Sequence, residues 1–120
     1  MTDSRQIALW CVEAAEERKA NEIVVLDLRE ISLVADYFVI CDGRSNVQVR
    51  AIAEHIEEFL EERGVKPLHH EGMRQGYWVL LDYGSVVVHV FREEERRFYN
   101  LERLWGDAEI VELGRAGGIA

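Results

Sequence analysis

The chain has 120 residues, of which 48% are apolar and 31% are charged, and its formal net charge is −9. This length and composition predict one globular domain that buries a core without needing disulfides or metals. The acidic balance argues against a general binder of phosphate backbones, because affinity for nucleic acid comes largely from Lys and Arg. It favours a basic protein partner.

The sequence also indicates the compartment. No apolar run approaches membrane-spanning length, and no apolar signal-peptide core follows the polar N-terminus. Cys11 and Cys41 lie in apolar surroundings and form no Cys-x-x-Cys pair. We therefore expect reduced core thiols, a cytoplasmic location and no contact with a membrane.

The first part of the chain predicts a helix followed by two strands. Asp3 or Ser4 can cap the helix, whose apolar residues recur at helical spacing and which should end near Asn21. Residues 23–28 and 37–41 are short, β-branched and apolar, so they predict buried strands.

A second helix follows a predicted turn at Asp42 and Gly43. Ser45 and Gln48 form a capping box, in which the serine side chain accepts a hydrogen bond from the third helical N–H and the glutamine reaches back. Gly64 is the expected helix stop. Six residues make one apolar stripe on this helix: Val49, Ile52, Ala53, Ile56, Phe59 and Leu60.

The remaining chain predicts three strands and a last helix. Pro67 opens a short edge strand, because proline has no N–H to donate. The stretch YWVLLDYGSVVVHVF, residues 77–91, reads as two strands joined by a tight turn. Residues 92–105 predict a helical segment with a break near Asn100. It is expected to place four residues on one side: Phe98, Leu101, Leu104 and Trp105.

These elements follow the order α-β-β-α-β-β-β-α. They predict an α/β (α+β) domain in which helices flank a mixed five-stranded sheet. We assign residues 1–105 to this single domain and residues 106–120 to a flexible, glycine-rich tail.

The polar residues of the apolar stretch do not form a convincing catalytic site. Asp82, Ser85 and His89 could resemble a Ser–His–Asp triad, but no nucleophile elbow is present, so turn and strand roles are expected. His69 and His70 are neighbours in an extended strand and point to opposite faces. We therefore expect surface histidines and no metal site.

Trp78 gives the clearest signal of a binding surface. The period of two along its strand places Trp78, Leu80 and Asp82 on one face, while the other face ends in Tyr83. Both faces are largely apolar, so if helices cover one, the other exposes a tryptophan unless something covers it. Exposed aromatic patches usually mark interfaces. The alternative is burial of Trp78 in the core.

Several of these stretches together resemble the ribosomal silencing factor family (RsfS, also called Iojap or YbeB). The stretches are ADYFVIC, GRSNVQVRAIAEHI, YWVLLDYGSVVVHVF and RRFYNLERLW. The similarity covers residues 7–105, about four-fifths of the chain. Residues 78–105, with W-x3-D-x-G, V-H-V-F and R-x-x-Y-x-L-E-x-L-W, are its most specific part.

The resemblance implies a function. Members of the family bind the large ribosomal subunit through ribosomal protein number fourteen and occupy a surface that the small subunit needs for docking. Subunit joining is then blocked, and translation falls when nutrients are scarce. The resemblance also implies a nucleotidyltransferase-like fold, a homodimer when the protein is free, and no cofactor. The implied contact residues are Trp78, Asp82, Tyr83 and Gly84, with His89 and Phe91 as weaker candidates.

An enzyme of the same fold is the rival interpretation. Active nucleotidyltransferases have a Gly-Ser turn before a helix and an Asp-x-Asp or Asp-x-Glu pair about ten residues later, which holds Mg²⁺. Here Gly84 and Ser85 lead directly into a strand, and the only Asp-x-Glu pair, Asp107 and Glu109, lies about two dozen residues on. The pattern predicts a fold without the chemistry.

Two alternatives remain open at this point. The apolar sheet face could bury itself in a dimer, which would make the protein a homodimeric scaffold. Arg92, Arg96 and Arg97 could touch ribosomal RNA, or they could pair with the neighbouring glutamates. We expect any contact with nucleic acid to be secondary.

Overall fold

The computed structural model of the chain describes residues 2–114 and 118–119. Its helices are α1 (Ser4–Glu17), α2 (Asn46–Glu61), α3 (Glu93–Tyr99) and α4 (Leu101–Leu104). Its strands are β1 (Asn21–Asp27), β2 (Tyr37–Gly43), β3 (His69–Glu71), β4 (Trp78–Asp82), β5 (Val86–Arg92), β6 (Glu109–Ile110), β7 (Leu113–Gly114) and β8 (Gly118–Ile119).

The main sheet has six strands in the order β3-β4-β5-β2-β1-β6. β2 and β5 run parallel and the other neighbours run antiparallel, so the predicted mixed α+β sheet is confirmed. The strand count of five was wrong, because β6 pairs with the free edge of β1. A two-residue strand carries no alternating pattern that could reveal it in the sequence. Residues 115–117 and 120 of the predicted tail lie outside the described residues.

Local signals explain how the two long helices begin. Asp3 caps α1 by accepting a hydrogen bond from Gln6 N, and Ser45 caps α2 by accepting one from Gln48 N. The Gln48 side chain reaches back as a capping box requires, but it accepts from Arg44 N rather than from Ser45 N. α1 ends at Glu17, earlier than the expected Asn21, because the chain turns sharply and β1 already begins at Asn21.

The predicted turn at Asp42 and Gly43 was wrong. Both residues continue β2 and pair with Phe91 and Arg92 of β5. The Asp-Gly sequence usually marks a turn, but here the Asp42 carboxylate is buried and accepts a hydrogen bond from Arg96, 2.9 Å away. This long-range contact keeps Asp42 in the sheet, which local turn chemistry alone could not indicate.

The two faces of the sheet have separate apolar clusters. One face packs against α1 and α2 and holds the larger cluster, which includes both free cysteines. Burial raises the pKa of the Cys11 thiol and raises that of Cys41 to about 12, so both thiols stay protonated. The opposite face holds a smaller cluster, to which Leu101 and Trp105 are added at the side of α4. Within the described ranges, no helix is long and apolar enough to cross a membrane.

Candidate docking face

The alternation predicted for β4 is confirmed. Val79 and Leu81 are buried against the helices, whereas Trp78, Leu80 and Asp82 are only partly buried on the opposite face. α3 and α4 do not extend far enough to cover the whole of that face. The side chains of Trp78 and Leu80 therefore remain partly accessible to solvent.

We call this surface the aromatic face. It consists of Phe38, Trp78, Leu80, His89 and Phe91, contributed by the neighbouring strands β2, β4 and β5.

Trp78 contacts three aromatic rings, those of Phe91, Tyr99 and His89, and makes one hydrogen bond. Its ring lies 4.9 Å from that of Phe91 and 4.8 Å from that of Tyr99, measured between centroids. Its indole N–H donates to Nδ1 of His89 at 3.1 Å. Phe91 pairs directly with Trp78 across the β4–β5 ladder and is fully buried, so it supports the tryptophan from below rather than meeting a partner itself.

His89 is almost completely enclosed, with 4% of its surface exposed. Its ring meets that of Phe38 edge to face at a centroid distance of 4.6 Å. Burial lowers the pKa of His89 to about 4, because a charged imidazolium would lose its hydration among these aromatic rings. The imidazole is therefore neutral at physiological pH. The expected strand role of His89 agrees with this position.

Tyr83 lies on the other side of the sheet from Trp78. It follows Val79 and Leu81 in the alternation, packs in the helix-side cluster and is 8% exposed. Burial raises the pKa of its hydroxyl, whose oxygen has no hydrogen-bond partner among the described residues. The structure thus separates Tyr83 from the other candidate contact residues, because a period of two sends residues 78 and 83 to opposite faces.

The rim of the aromatic face is acidic along β3 and the β4–β5 turn. Asp82 Oδ1 accepts a hydrogen bond from Gly84 N at 2.7 Å, and Gly84 has φ +84°, the left-handed conformation this tight turn requires. His69 Nδ1 lies 3.6 Å from the other Asp82 oxygen. Glu71 follows on the same strand and is 71% exposed. Gly84 therefore shapes the rim, and Asp82 and Glu71 give it negative charge.

The segment of α3 and α4 covers the aromatic face only in part, with Tyr99 on Trp78 and Trp105 on Phe38. The break near Asn100 is confirmed, since this residue adopts a left-handed conformation between the two helices. The expected common apolar side was wrong. Trp105 packs on Phe38, but Phe98 and Leu104 are 81% and 74% exposed. The break at Asn100 separates Phe98 from α4, and the side of α4 that faces the sheet is that of Leu101 and of Trp105 directly after the helix, not that of Leu104.

The three arginines near α3 pair within the protein. Arg96 is buried, and its guanidinium bonds to Asp42 and Glu102. Arg92 pairs with Glu95 at 2.8 Å, and Arg97 with Glu93 at 3.1 Å. Of the two alternatives left open by the sequence, these ion pairs favour pairing of the arginines with carboxylates of the protein over contact with ribosomal RNA.

Gly72 is a sterically constrained position beside Trp78 that the sequence did not single out. Its φ is +82°, and a Cβ atom placed there would lie 2.0 Å from the carbonyl oxygen of Trp78. No side chain fits this approach, so Gly72 sets the start of β4 and with it the position of Trp78. The GMRQG stretch before the strand carried this signal, but a glycine in a turn rarely reveals which atom it approaches.

The described residues hold no group of three or more His, Cys, Asp or Glu side chains that could bind a metal ion. Their clearest feature is a partly exposed aromatic centre with a carboxylate rim. An aromatic centre with a polar, charged rim is the composition typical of protein–protein interfaces.

Comparisons with known proteins identify the family. Residues 1–117 match the family model described as ribosomal silencing factor during starvation. The ribosomal silencing factor RsfS of Bacillus subtilis is 50% identical over 111 residues, which cover 92% of this chain and 94% of that protein. The same protein of Halalkalibacterium halodurans is 46% identical over 110 residues, with the same coverage. The chain belongs to the ribosomal silencing factor family.

More distant relatives agree with this assignment. The chloroplastic protein Iojap of Zea mays is 37% identical over 88% of this chain and 46% of its own length. A crystal structure of a Chromobacterium violaceum protein superposes with a TM-score of 0.85 at 36% identity, covering 88% of each chain. One from Bacillus halodurans reaches 0.82 at 43% identity, covering 92% of this chain and all of the other. The fold and the resemblance inferred from the motifs are both confirmed.

Proposed function

We propose that this protein binds the large ribosomal subunit through ribosomal protein number fourteen and thereby blocks joining of the small subunit. It would lower translation when nutrients are limiting, act in the cytoplasm, and need neither a cofactor nor a catalytic group. Membership of the family supports a regulatory role on the ribosome. The observation that carries the proposal for this surface is the accessible Trp78–Leu80 pair beside the carboxylates of Asp82 and Glu71.

The composition of the surface fits such a partner. Large aromatic side chains at the centre of an interface contribute most of its binding energy once water is excluded. Ribosomal proteins are generally basic, and this chain carries a formal net charge of −9. Carboxylates at the rim would speed the encounter with a basic partner and select its orientation.

Trp78, Leu80 and Asp82 form the proposed contact, with Gly84 shaping the turn beside it and Phe91 and His89 supporting the tryptophan from the sheet. Tyr83 contributes through the helix-side core that holds the end of β4. In the free protein we propose a homodimer that uses the same apolar surface. The dimer would cover Trp78 and Leu80 until the ribosomal partner replaces the second copy.

Light scattering of subunit association tests the proposal. Purified large subunits are incubated with excess protein and then mixed with small subunits in magnesium buffer, while the rise in scattering reports joining. We expect slower and smaller joining after preincubation on the large subunit, and a weaker effect after preincubation on the small subunit. Unchanged joining with folded protein would reject the proposed function.

A further inference from the structure

His89 is an unfavourable residue for the place it occupies. Its side chain is 4% exposed, and Nε2 is buried with no hydrogen-bond partner among the described residues. A buried polar atom without a partner destabilises a fold, and a leucine at this position would avoid that cost. The fold alone therefore gives no reason for a histidine between Phe38 and Phe91.

The bond to Trp78 supplies a reason. An indole N–H can only donate, so Nδ1 of His89 must be the acceptor and the imidazole proton must sit on Nε2. Leucine could not provide this acceptor. The unpartnered Nε2–H is thus a direct consequence of the tautomer that Trp78 requires.

The aromatic contacts of Trp78 do not select one orientation by themselves. Its ring meets those of Phe91 and Tyr99 at tilted angles of 31° and 44°, an arrangement that a flipped indole could also make. The hydrogen bond to His89 is directional, so it is compatible with one orientation of the indole and not with the flipped one. Trp78 then presents the carbon edge of its indole outward, while its N–H stays inside.

We propose that His89 is a positioning residue, which holds the Trp78 indole in one orientation before the partner arrives. The partner surface must then offer Trp78 an apolar pocket without a hydrogen-bond acceptor, because the indole N–H is already used. This inference rests on the proposed function in taking the partner to be the large ribosomal subunit. Ordering a side chain in advance removes part of the entropy that binding would otherwise lose.

A matched pair of variants tests the proposal. Leucine and asparagine have nearly the same shape, but in His89→Asn the amide oxygen can occupy the position of Nδ1 and accept the indole proton, whereas His89→Leu removes the acceptor. Three readouts are needed: urea unfolding, the Trp78 indole ¹H–¹⁵N resonance, and affinity for purified large subunits. The chain has 3 tryptophans, so Trp78→Phe assigns the resonance by its disappearance.

We expect His89→Leu to unfold at the same urea concentration as the wild type or at a higher one. Its Trp78 indole proton should exchange faster with water and lose its downfield shift, and large-subunit binding should weaken about two- to tenfold. His89→Asn should recover the indole shift and most of the affinity. Loss of affinity together with unchanged or higher stability is a result that a purely structural histidine would not produce.

Other results would overturn the inference. If both variants keep the wild-type indole resonance, or if asparagine and leucine bind equally, His89 does not position Trp78. Should His89→Leu fail to fold, His89→Asn is compared with His89→Gln. The glutamine oxygen reaches the position of Nε2 and not that of Nδ1, so only His89→Asn should keep the indole shift and the affinity. The proposed function fails separately if Trp78→Ala binds like the wild type, and in that case the indole resonance alone still decides whether His89 orients Trp78.

Discussion

Arg96 and Asp42 form a buried ion pair that joins α3 to the centre of the sheet, with 2.9 Å between Nη1 and Oδ2. The same Arg96 nitrogen donates to the main-chain oxygen of Glu22, 2.7 Å away, and Nη2 donates to Glu102 of α4. Burial raises the pKa of Asp42, and Arg96 opposes this. One guanidinium therefore connects β1, β2, α3 and α4, and it holds in place the helix that ends in Tyr99 and the one that Trp105 directly follows.

Replacing this arginine should be strongly destabilising. We expect Arg96→Met to lower the free energy of unfolding by about 3–5 kcal/mol, because it leaves the Asp42 carboxylate buried without its cation. Urea unfolding measures the change. Arg97→Met is the matched control on the same helix, since Arg97 is exposed and among the described residues pairs with Glu93, and it should change stability by less than about 1 kcal/mol.

The double variant Arg96→Met with Asp42→Leu should recover part of that loss, since it removes both charges together. A double variant whose loss equals the sum of the two single losses would contradict the interpretation of the pair as mutually compensating charges.

Trp78→Ala should abolish inhibition of subunit joining while the protein stays folded. We expect a loss of about 2–4 kcal/mol in large-subunit binding, as for an aromatic residue at the centre of an interface. Sedimentation with purified large subunits measures it. Trp10→Ala is the control, because Trp10 packs on the helix side of the sheet beside Arg63. Equal losses in both variants would place the effect in the fold rather than in the aromatic face.

Glu71→Gln should slow association with the large subunit and make it less sensitive to salt. Glu71 lies at the rim of the aromatic face, so its charge acts on the encounter more than on the bound state. Stopped-flow association at two ionic strengths measures the rate. Glu58→Gln removes the same charge from the exposed side of α2. If that control slows association equally, the net charge of the protein is responsible, and the position of Glu71 at the rim does not affect the association rate.

Gly72→Ala should destabilise the protein by several kcal/mol, because the added Cβ would lie 2.0 Å from the Trp78 carbonyl oxygen and would have to displace β4. Gly64→Ala is an unusually close control. Gly64 has nearly the same φ, +80°, but a Cβ there meets nothing within 4 Å. It should cost only the backbone strain, about 1–2 kcal/mol. If thermal unfolding shows similar losses of stability in both variants, the chain accommodates a Cβ beside the Trp78 carbonyl oxygen at little energetic cost.

Neutral His89 should make stability depend on pH. The unfolded chain protonates this histidine near pH 6.5 and the folded chain only near pH 4. Above pH 6.5 this titration leaves the free energy of unfolding unchanged. As the pH falls toward 4, proton uptake by the unfolded chain lowers that free energy, by roughly 3 kcal/mol over the whole range. Because carboxylates also titrate here, the measurement is the difference in unfolding free energy between the wild type and His89→Leu.

This difference should move by roughly 2 kcal/mol in favour of His89→Leu between pH 7.5 and pH 5. A constant difference would mean that His89 titrates alike in the folded and unfolded chains, and that its ring is not enclosed as the structure describes.

Much of the fold could be read from local patterns. The capping residues Asp3 and Ser45, the apolar stripe of α2 and the alternation along β4 each depend on neighbours a few residues away, and the structure confirms them. Asp42 was misjudged because it is kept in the sheet by Arg96, 54 positions along the chain. Phe98 was misjudged although the break near Asn100 was predicted, because the break alone does not indicate the direction in which the chain turns.

The sequence by itself determined which side chains share a face: Trp78 with Leu80 and Asp82, and Tyr83 with the residues of the other face. The period of a strand is a property of the backbone and needs no tertiary contact. Only the tertiary structure decided which face the long helices cover, and this left Trp78 accessible and enclosed Tyr83. It also decided that the Trp78 indole meets Nδ1 of His89 and that Gly72 touches the Trp78 carbonyl. These contacts depend on how separate strands and turns pack, because a hydrogen bond or a close approach requires two chain segments to be placed to within a fraction of an ångström.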